Sequence, residues 1–193
     1  MKNLEQLISR IHPMSQGAKE AFVSKFKEAQ HLKKKEFLIK EGQLVDGLYY
    51  VASGVLRAYY EKDGEEVTFN FYFGPTIFTD FISVYEKTPS KMNVVVLEDC
   101  EVYYANMKEM EQLAEKDVDI TQLFLKFFQI LYLYNHKRQL SMIYNTPEER
   151  YLELLELRPK VFQQMPLKYI ATYLGVKPET LSRLRAQMYR PKD

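Results

Sequence analysis

Residues 165–185 constrain the fold of this chain more than any other stretch: Met165-Pro166-Leu167-Lys168-Tyr169-Ile170-Ala171-Thr172-Tyr173-Leu174-Gly175-Val176-Lys177-Pro178-Glu179-Thr180-Leu181-Ser182-Arg183-Leu184-Arg185. Leu167, Ile170, Ala171 and Leu174 stand at helical spacing and give a short first helix one apolar face. Gly175 supplies the backbone freedom of a sharp inter-helix turn, and Val176 is a small apolar plug for it. Pro178 and Glu179 suit the first turn of a second helix, where a missing amide hydrogen costs nothing and a carboxylate favours the dipole. Leu181 and Leu184 face inward. The spacing therefore predicts a helix-turn-helix. Its outer positions carry Lys168, Lys177, Glu179, Thr180, Ser182, Arg183 and Arg185, residue types that contact phosphates and base edges in a major groove.

Charge is concentrated at the same end. From Pro166 onward six Lys or Arg face two acids, a net of +4, while the whole chain is only +1. That pattern fits a local phosphate-binding surface and not a generally basic protein. The preceding boundary is Asn145-Thr146-Pro147-Glu148-Glu149. Thr146 is an N-cap, Pro147 takes the first helical position, and Glu149 completes a capping box. The helix it opens turns Tyr151, Leu154 and Leu155 inward and stops near Arg158-Pro159.

Upstream the texture changes twice. Residues from about 4 to 29 read as two helices. The first carries Leu4, Leu7, Ile8 and Ile11 and is broken by His12-Pro13; the second is capped by Ser15. From about His31 to Tyr104, short aromatic or β-branched runs alternate with Gly, Asp and Pro, which predicts an antiparallel barrel or roll with its clearest hairpin at Asp63-Gly64. Helical spacing returns with a short helix, Met107 to Leu113, and a long one from about Val118 to Tyr144. Along the long helix Ile120, Phe124, Phe127, Leu131 and Tyr134 step by four and three, a heptad-like seam. Leu123, Phe128, Ile130 and Leu133 lie outside it. A helix apolar on more than one side needs two partners, its own β-domain and the same helix of a second copy. The seam residues are the expected dimer contacts.

Hydrophobic residues make up 46% of 193, enough for a core, and no apolar run reaches the length of a membrane span. The N-terminus lacks the apolar core of a signal peptide, so a cytoplasmic location is expected. One cysteine, Cys100, excludes an intramolecular disulfide and an all-cysteine cluster within one subunit. Asp99 and Glu101 beside it disfavour a reactive thiolate. His12, His31 and His136 are isolated, so no metal site is expected. No nucleophile elbow, Walker loop, zinc-binding histidine pair or Rossmann fingerprint appears, so an enzyme is not expected.

The fold class is α+β: a β-roll of the jelly-roll type with flanking helices, a long helix, then a helical domain. That order, with the motif above, resembles the Crp/Fnr superfamily of bacterial transcription regulators. Gly42, Asp46-Gly47-Leu48-Tyr49-Tyr50-Val51, Ser53-Gly54 and Phe73-Gly74 are similar to the glycine-punctuated pattern of cyclic-nucleotide-binding domains. The resemblance implies a sensor domain over 1–116, a dimerisation helix over 117–145 and a winged-helix-like DNA-binding domain over 146–193, its wing short or absent because the chain ends at Asp193. It implies double-stranded DNA, a second copy of the chain and RNA polymerase as partners. It places Glu179 and Arg183 at base-reading positions, and Thr180 and Ser182 near phosphate contacts. Pro178 stands where some relatives read a base with arginine.

The sensor departs from the pattern. The family's phosphate cassette holds a cyclic nucleotide with a Gly-Glu pair and an Arg-Ser or Arg-Thr pair. Here Thr79-Asp80 and Ser90-Lys91 stand in the corresponding segment, and no arginine occurs between Arg57 and Arg138. Lysine replaces a bidentate guanidinium poorly. The expectation is an effector pocket around Phe73, Gly74, Thr79, Asp80, Phe81, Ser90 and Lys91 that takes no ordinary cyclic nucleotide and no cofactor. The alternative is a ligand-binding or protein-interaction module whose C-terminal domain no longer binds DNA.

Overall fold

A computed structural model describes residues 1–27 and 29–188. Two short helices open the chain, α1 (Lys2–Ile11) and α2 (Gln16–Ser24). Ser15 caps α2 by accepting a bond from the Ala18 amide. The helical pattern read as far as residue 29 ends earlier, because β1 (Gln30–Leu32) must reach the sheet; Glu28 lies outside the described residues.

Six strands form one antiparallel sheet. Besides β1 they are β2 (Phe37–Ile39), β3 (Gly47–Lys62), β4 (Glu65–Phe73), β5 (Thr76–Phe78) and β6 (Met92–Asn106). The main order is β1-β6-β3-β4, with β2 on β6 and β5 on β3. Asp63 and Gly64 both have positive φ and turn β3 into β4, as Asp-Gly hairpins do. The short runs 48–51 and 55–60 lie in one long bent strand, β3, and the runs 93–97 and 100–104 lie in another, β6. The bends are register shifts in β3 around Ser53 and Val55. At Gly54, φ is +90° and a Cβ would strike the Asp99 carbonyl, so the sheet can fold on itself only with glycine there.

Helix α3 (Phe81–Glu86) interrupts the sheet before β6. After it come α4 (Met107–Ala114), the 27-residue α5 (Val118–Tyr144), α6 (Pro147–Leu157), α7 (Pro159–Gln164), α8 (Leu167–Tyr173) and α9 (Pro178–Met188). The capping box of Thr146 and Glu149 is formed in both directions at α6. Three apolar clusters result. Leu4, Ile8, Phe22, Tyr50, Met110 and Ile120 join the N-terminal helices and α5 to one face of the roll. Ile39, Leu56, Phe78, Val94 and Val102 fill the roll. Val55 and Phe71 leave the roll to pack with Tyr151, Leu154, Ile170, Tyr173 and Leu181 of the C-terminal helices. Alternation along β3 assigns Val55 and Leu56 to opposite cores.

The residues of the expected α5 seam make contacts within their own subunit. Ile120 is fully buried against α1 and α2. Phe124 meets Phe22, Phe127 meets Phe81, and the Tyr134 hydroxyl lies 2.8 Å from that of Tyr173. Leu131 faces the roll beside Phe127. The whole row packs on its own subunit. The opposite side of the helix is bare: Val118, Leu125 and Tyr132 recur every seven residues, flanked by Leu133, Leu140 and Ile143, all exposed. His136 stacks on Tyr132 along that side, with ring centroids 5.6 Å apart.

Candidate nucleic-acid interface and effector cavity

Helix α8 buries Ile170, Ala171 and Tyr173, and α9 buries Leu181. Between them the chain reverses tightly: Gly175 and Val176 donate to the carbonyls of Thr172 and Ala171 at 3.2 and 3.0 Å. Gly175 is favoured by its φ of +68°; a Cβ there would also come within 2.6 Å of the Met142 methyl of α5, a flexible side-chain end that can shift. The Leu181 amide donates to the Lys177 carbonyl, so α9 starts as the Pro178 position suggested.

With Leu181 anchored, the outer face of α9 is set by helical periodicity. Glu179, Ser182 and Arg183 are exposed together, one turn apart, with Lys177 exposed just before them. Among the described residues neither Glu179 nor Arg183 is held in an ion pair. Lys168 is exposed on α8 with its ammonium 4.9 Å from the Tyr169 ring centroid. Thr180 and Arg185 are half-buried at the edges of the face. The structure thus brings the seven sequence-selected residues onto one two-helix unit. Arg190, Lys192 and any wing lie outside the described residues.

Inside the roll, a cavity of about 230 Å³ is walled by Tyr60, Phe69, Tyr72, Phe78, Phe81 and Met92, and closed by Phe127, Leu131 and Asn135 of α5. Thr79 and Asp80 line it. Their polar atoms are already engaged. The Thr79 hydroxyl donates to the Gly47 carbonyl at 2.6 Å. One Asp80 oxygen accepts from the Ile82 and Ser83 amides and caps α3; the other accepts from the Ser90 hydroxyl at 2.7 Å. The two segments that would hold a sugar and a phosphate in the resembled cassette are bonded to each other. Lys91 is exposed and is not among the wall residues. Phe73 and Gly74 are corrected: they border a separate depression with Arg10 and Lys160, because β4 carries its end away from the cavity. Among the described residues no cation lines the cavity and one carboxylate, Asp80, does.

Sequence reasoning missed the joint between roll and C-terminal helices. Arg57 of β3 is 1% exposed and points away from the cavity. Its guanidinium is clamped between the rings of Tyr59 and Tyr169, 4.4 and 3.8 Å from their centroids. It donates to the Thr68 hydroxyl at 2.9 Å and forms an ion pair with Glu66. The Thr68 and Thr172 hydroxyls meet at 2.8 Å, which ties β4 to α8. Arg158 donates to the Asn70 side chain, the Phe71 carbonyl and Tyr134. The available signal was an arginine in the middle of an apolar strand, a position that only a dedicated partner makes tolerable. At Cys100 burial, aided by Asp99 and Glu98 and not by the neighbouring Glu101, pushes the thiol up to about 11. Among the described residues no group of three or more His, Cys, Asp or Glu is arranged to hold a metal ion, and no helix is long and apolar enough to cross a membrane.

Residues 29–117 match the family model of the cyclic nucleotide-binding domain. Solved structures extend the likeness over the whole fold. FixK2 from Bradyrhizobium japonicum is similar with a TM-score of 0.70 at 21% identity, over 85% of this chain and 84% of that one. A CooA mutant from Carboxydothermus hydrogenoformans gives 0.70 at 16% identity, over 96% and 84%. The global regulator CLP from Xanthomonas campestris, described as responsive to c-di-GMP, gives 0.67 at 15% identity, over 90% and 91%. No curated protein matches by sequence.

Proposed function

We propose that this chain, whose fold is that of the Crp/Fnr regulators, is a homodimeric, sequence-specific DNA-binding transcription regulator. The observation that carries this reading is the outer face of α9, where Glu179, Ser182 and Arg183 are exposed in a row on a helix anchored by Leu181. A short polar face with one guanidinium and one carboxylate suits base edges in a major groove, while Lys168, Lys177 and Thr180 suit flanking phosphates. Arg185, at the edge of the face, is a further phosphate contact. The work divides as 1–116 for sensing, 117–145 for dimerisation and 146–193 for DNA. Two copies paired through the exposed side of α5 would present two α9 helices to half-sites about 34 Å apart. In a cytoplasmic setting such a dimer would regulate by its placement relative to RNA polymerase.

Arg183→Ala should weaken binding to the selected operator by about 1–3 kcal/mol and leave binding to random DNA nearly unchanged. Fluorescence anisotropy with both duplexes reads this. Equal losses on the two would remove Arg183 from base reading. Selection from a randomised duplex pool separates the regulator from a module with a vestigial C-terminal domain, which would enrich no sequence.

The sensor is read as taking no ordinary cyclic nucleotide, since Asp80 and Ser90 satisfy each other and the cavity lacks a cation. Cyclic AMP at millimolar concentration should leave the melting temperature unchanged. A ligand present at a hundred times its Kd would add about 2.7 kcal/mol, so a saturable rise would be conspicuous and would refute this point. A ligand that does fill the cavity presses on Phe127, Leu131 and Asn135, and so on the helix that sets the spacing of the two α9 helices.

A further inference from the structure

A second cavity, of about 300 Å³, lies outside the roll, where the end of α5 meets α6 and α8. Its floor is apolar: Met142, Leu154, Leu157, Tyr173 and Leu174. Its other walls carry Lys137, Arg138, Arg150 and Arg158 against one carboxylate, Glu153. Glu153 is occupied, accepting from the Ser141 hydroxyl at 2.6 Å and from the Asn145 amide. Among the described residues none of the four cations has a carboxylate within ion-pair distance.

The cations are not equivalent. Arg150 is committed to the Leu174 and Asn145 carbonyls, and Arg158 to Asn70, Phe71 and Tyr134. Arg138 is the least committed of the three arginines. It lies over the Tyr173 ring at 4.3 Å and makes one long bond, 3.3 Å, to the Tyr173 carbonyl. A planar guanidinium held on a ring and short of acceptors is prepared for bidentate capture of a carboxylate. The cavity is also on the side of α5 away from Leu125, Tyr132 and Leu133, so pairing through that bare face leaves it open.

We propose that this junction binds a small organic monocarboxylate with an apolar body. The carboxylate sits on Arg138 with Lys137 near, and the body lies on Met142, Leu157 and Leu174. The volume is at the lower end for small-molecule sites and admits an aryl or medium-chain alkyl group. Bare phosphate would leave the apolar floor unused, and a neutral amide would leave Arg138 uncompensated. Because Gly175 packs on Met142 at the same place, such a ligand would fix the helix-turn-helix relative to α5. This site owes nothing to the assignment of the roll cavity, and its test uses no DNA.

Isothermal titration of the full-length protein with octanoate, 2-naphthoate, octanamide and inorganic phosphate tests the proposal. Saturable binding of octanoate or 2-naphthoate, at least tenfold tighter than octanamide and phosphate, is expected. Arg138→Gln should lower the affinity at least tenfold. Leu157→Asp, at a floor position that is 69% exposed, should do the same by repelling the carboxylate. No saturable binding of either carboxylate, equal binding of octanamide, or undiminished affinity in Leu157→Asp would overturn it.

Discussion

Tyr132→Glu with Leu133→Glu should convert the proposed dimer to a monomer, halving the mass in light scattering at micromolar concentration. Both side chains are more than half exposed on the single chain, yet they stand in a row with Val118, Leu125 and Leu140 along one side of a 27-residue helix. A contiguous apolar stripe of this length is not ordinarily left in water. Pairing α5 with its own copy is isologous, so each substitution acts twice across the two-fold axis. Four apolar side chains lose their burial, at about 1.5 kcal/mol each, and four carboxylates are forced together. The loss is on the order of 6 kcal/mol or more, about four decades in the dissociation constant. Phe127→Asp gives the contrasting result. Phe127 packs on Phe81 and Phe128 within one subunit. Its replacement should lower the melting temperature and leave the mass that of a dimer. An unchanged mass for the Tyr132 and Leu133 variant would remove this face from the interface.

That contrast also shows where sequence reading stops. Periodicity reports that a helix is apolar on two sides, but not which side meets which partner. Ile120, Phe124, Phe127, Leu131 and Tyr134 have the more regular spacing and were expected between subunits. What claims that row is Phe22 from α2 and Phe81 from α3, residues far away in the chain. Features governed by near neighbours were legible. Thr146 and Glu149 cap each other across three residues, Asp63-Gly64 makes its own turn, and Gly175 makes the reversal between α8 and α9. The exposed face of α9 followed once Leu181 was assigned inward. The sensor was half legible. The missing arginine was plain, but the bond between Asp80 and Ser90 depends on a fold that brings α3 against the start of β6. The joint around Arg57 was not legible, because its partners Glu66, Thr68 and Tyr169 come from two further elements.

Glu66→Gln at that joint should destabilise the protein more than loss of its buried partner does. Arg57 is 1% exposed, while the Glu66 side chain is 46% exposed. Removing the Glu66 charge returns nothing costly to the interior but strands a guanidinium between two rings, where one of its nitrogens already has no hydrogen-bond partner among the described residues. Breaking a buried pair from one side typically costs 3–5 kcal/mol; with Glu66 half solvated the expected loss is about 2–3 kcal/mol. Arg57→Met removes the charge together with its desolvation penalty and keeps a flexible apolar chain between Tyr59 and Tyr169. Thr68 still has Thr172, so no hydroxyl is orphaned. Its expected cost is about 1 kcal/mol. In the double variant Glu66→Gln should cost almost nothing further, since the charge it would have stranded is gone. Urea denaturation of the four proteins measures the cycle. Hydrogen exchange should place the loss in Glu66→Gln at β4 and α8, the two elements that Arg57 and the Thr68–Thr172 contact hold together. If Arg57→Met proves the costlier change, stacking on Tyr169 and not the ion pair holds the helix-turn-helix to the roll. The coupling between the roll and the C-terminal helices would then run through an aromatic contact insensitive to salt, where an ion pair would weaken as ionic strength rises.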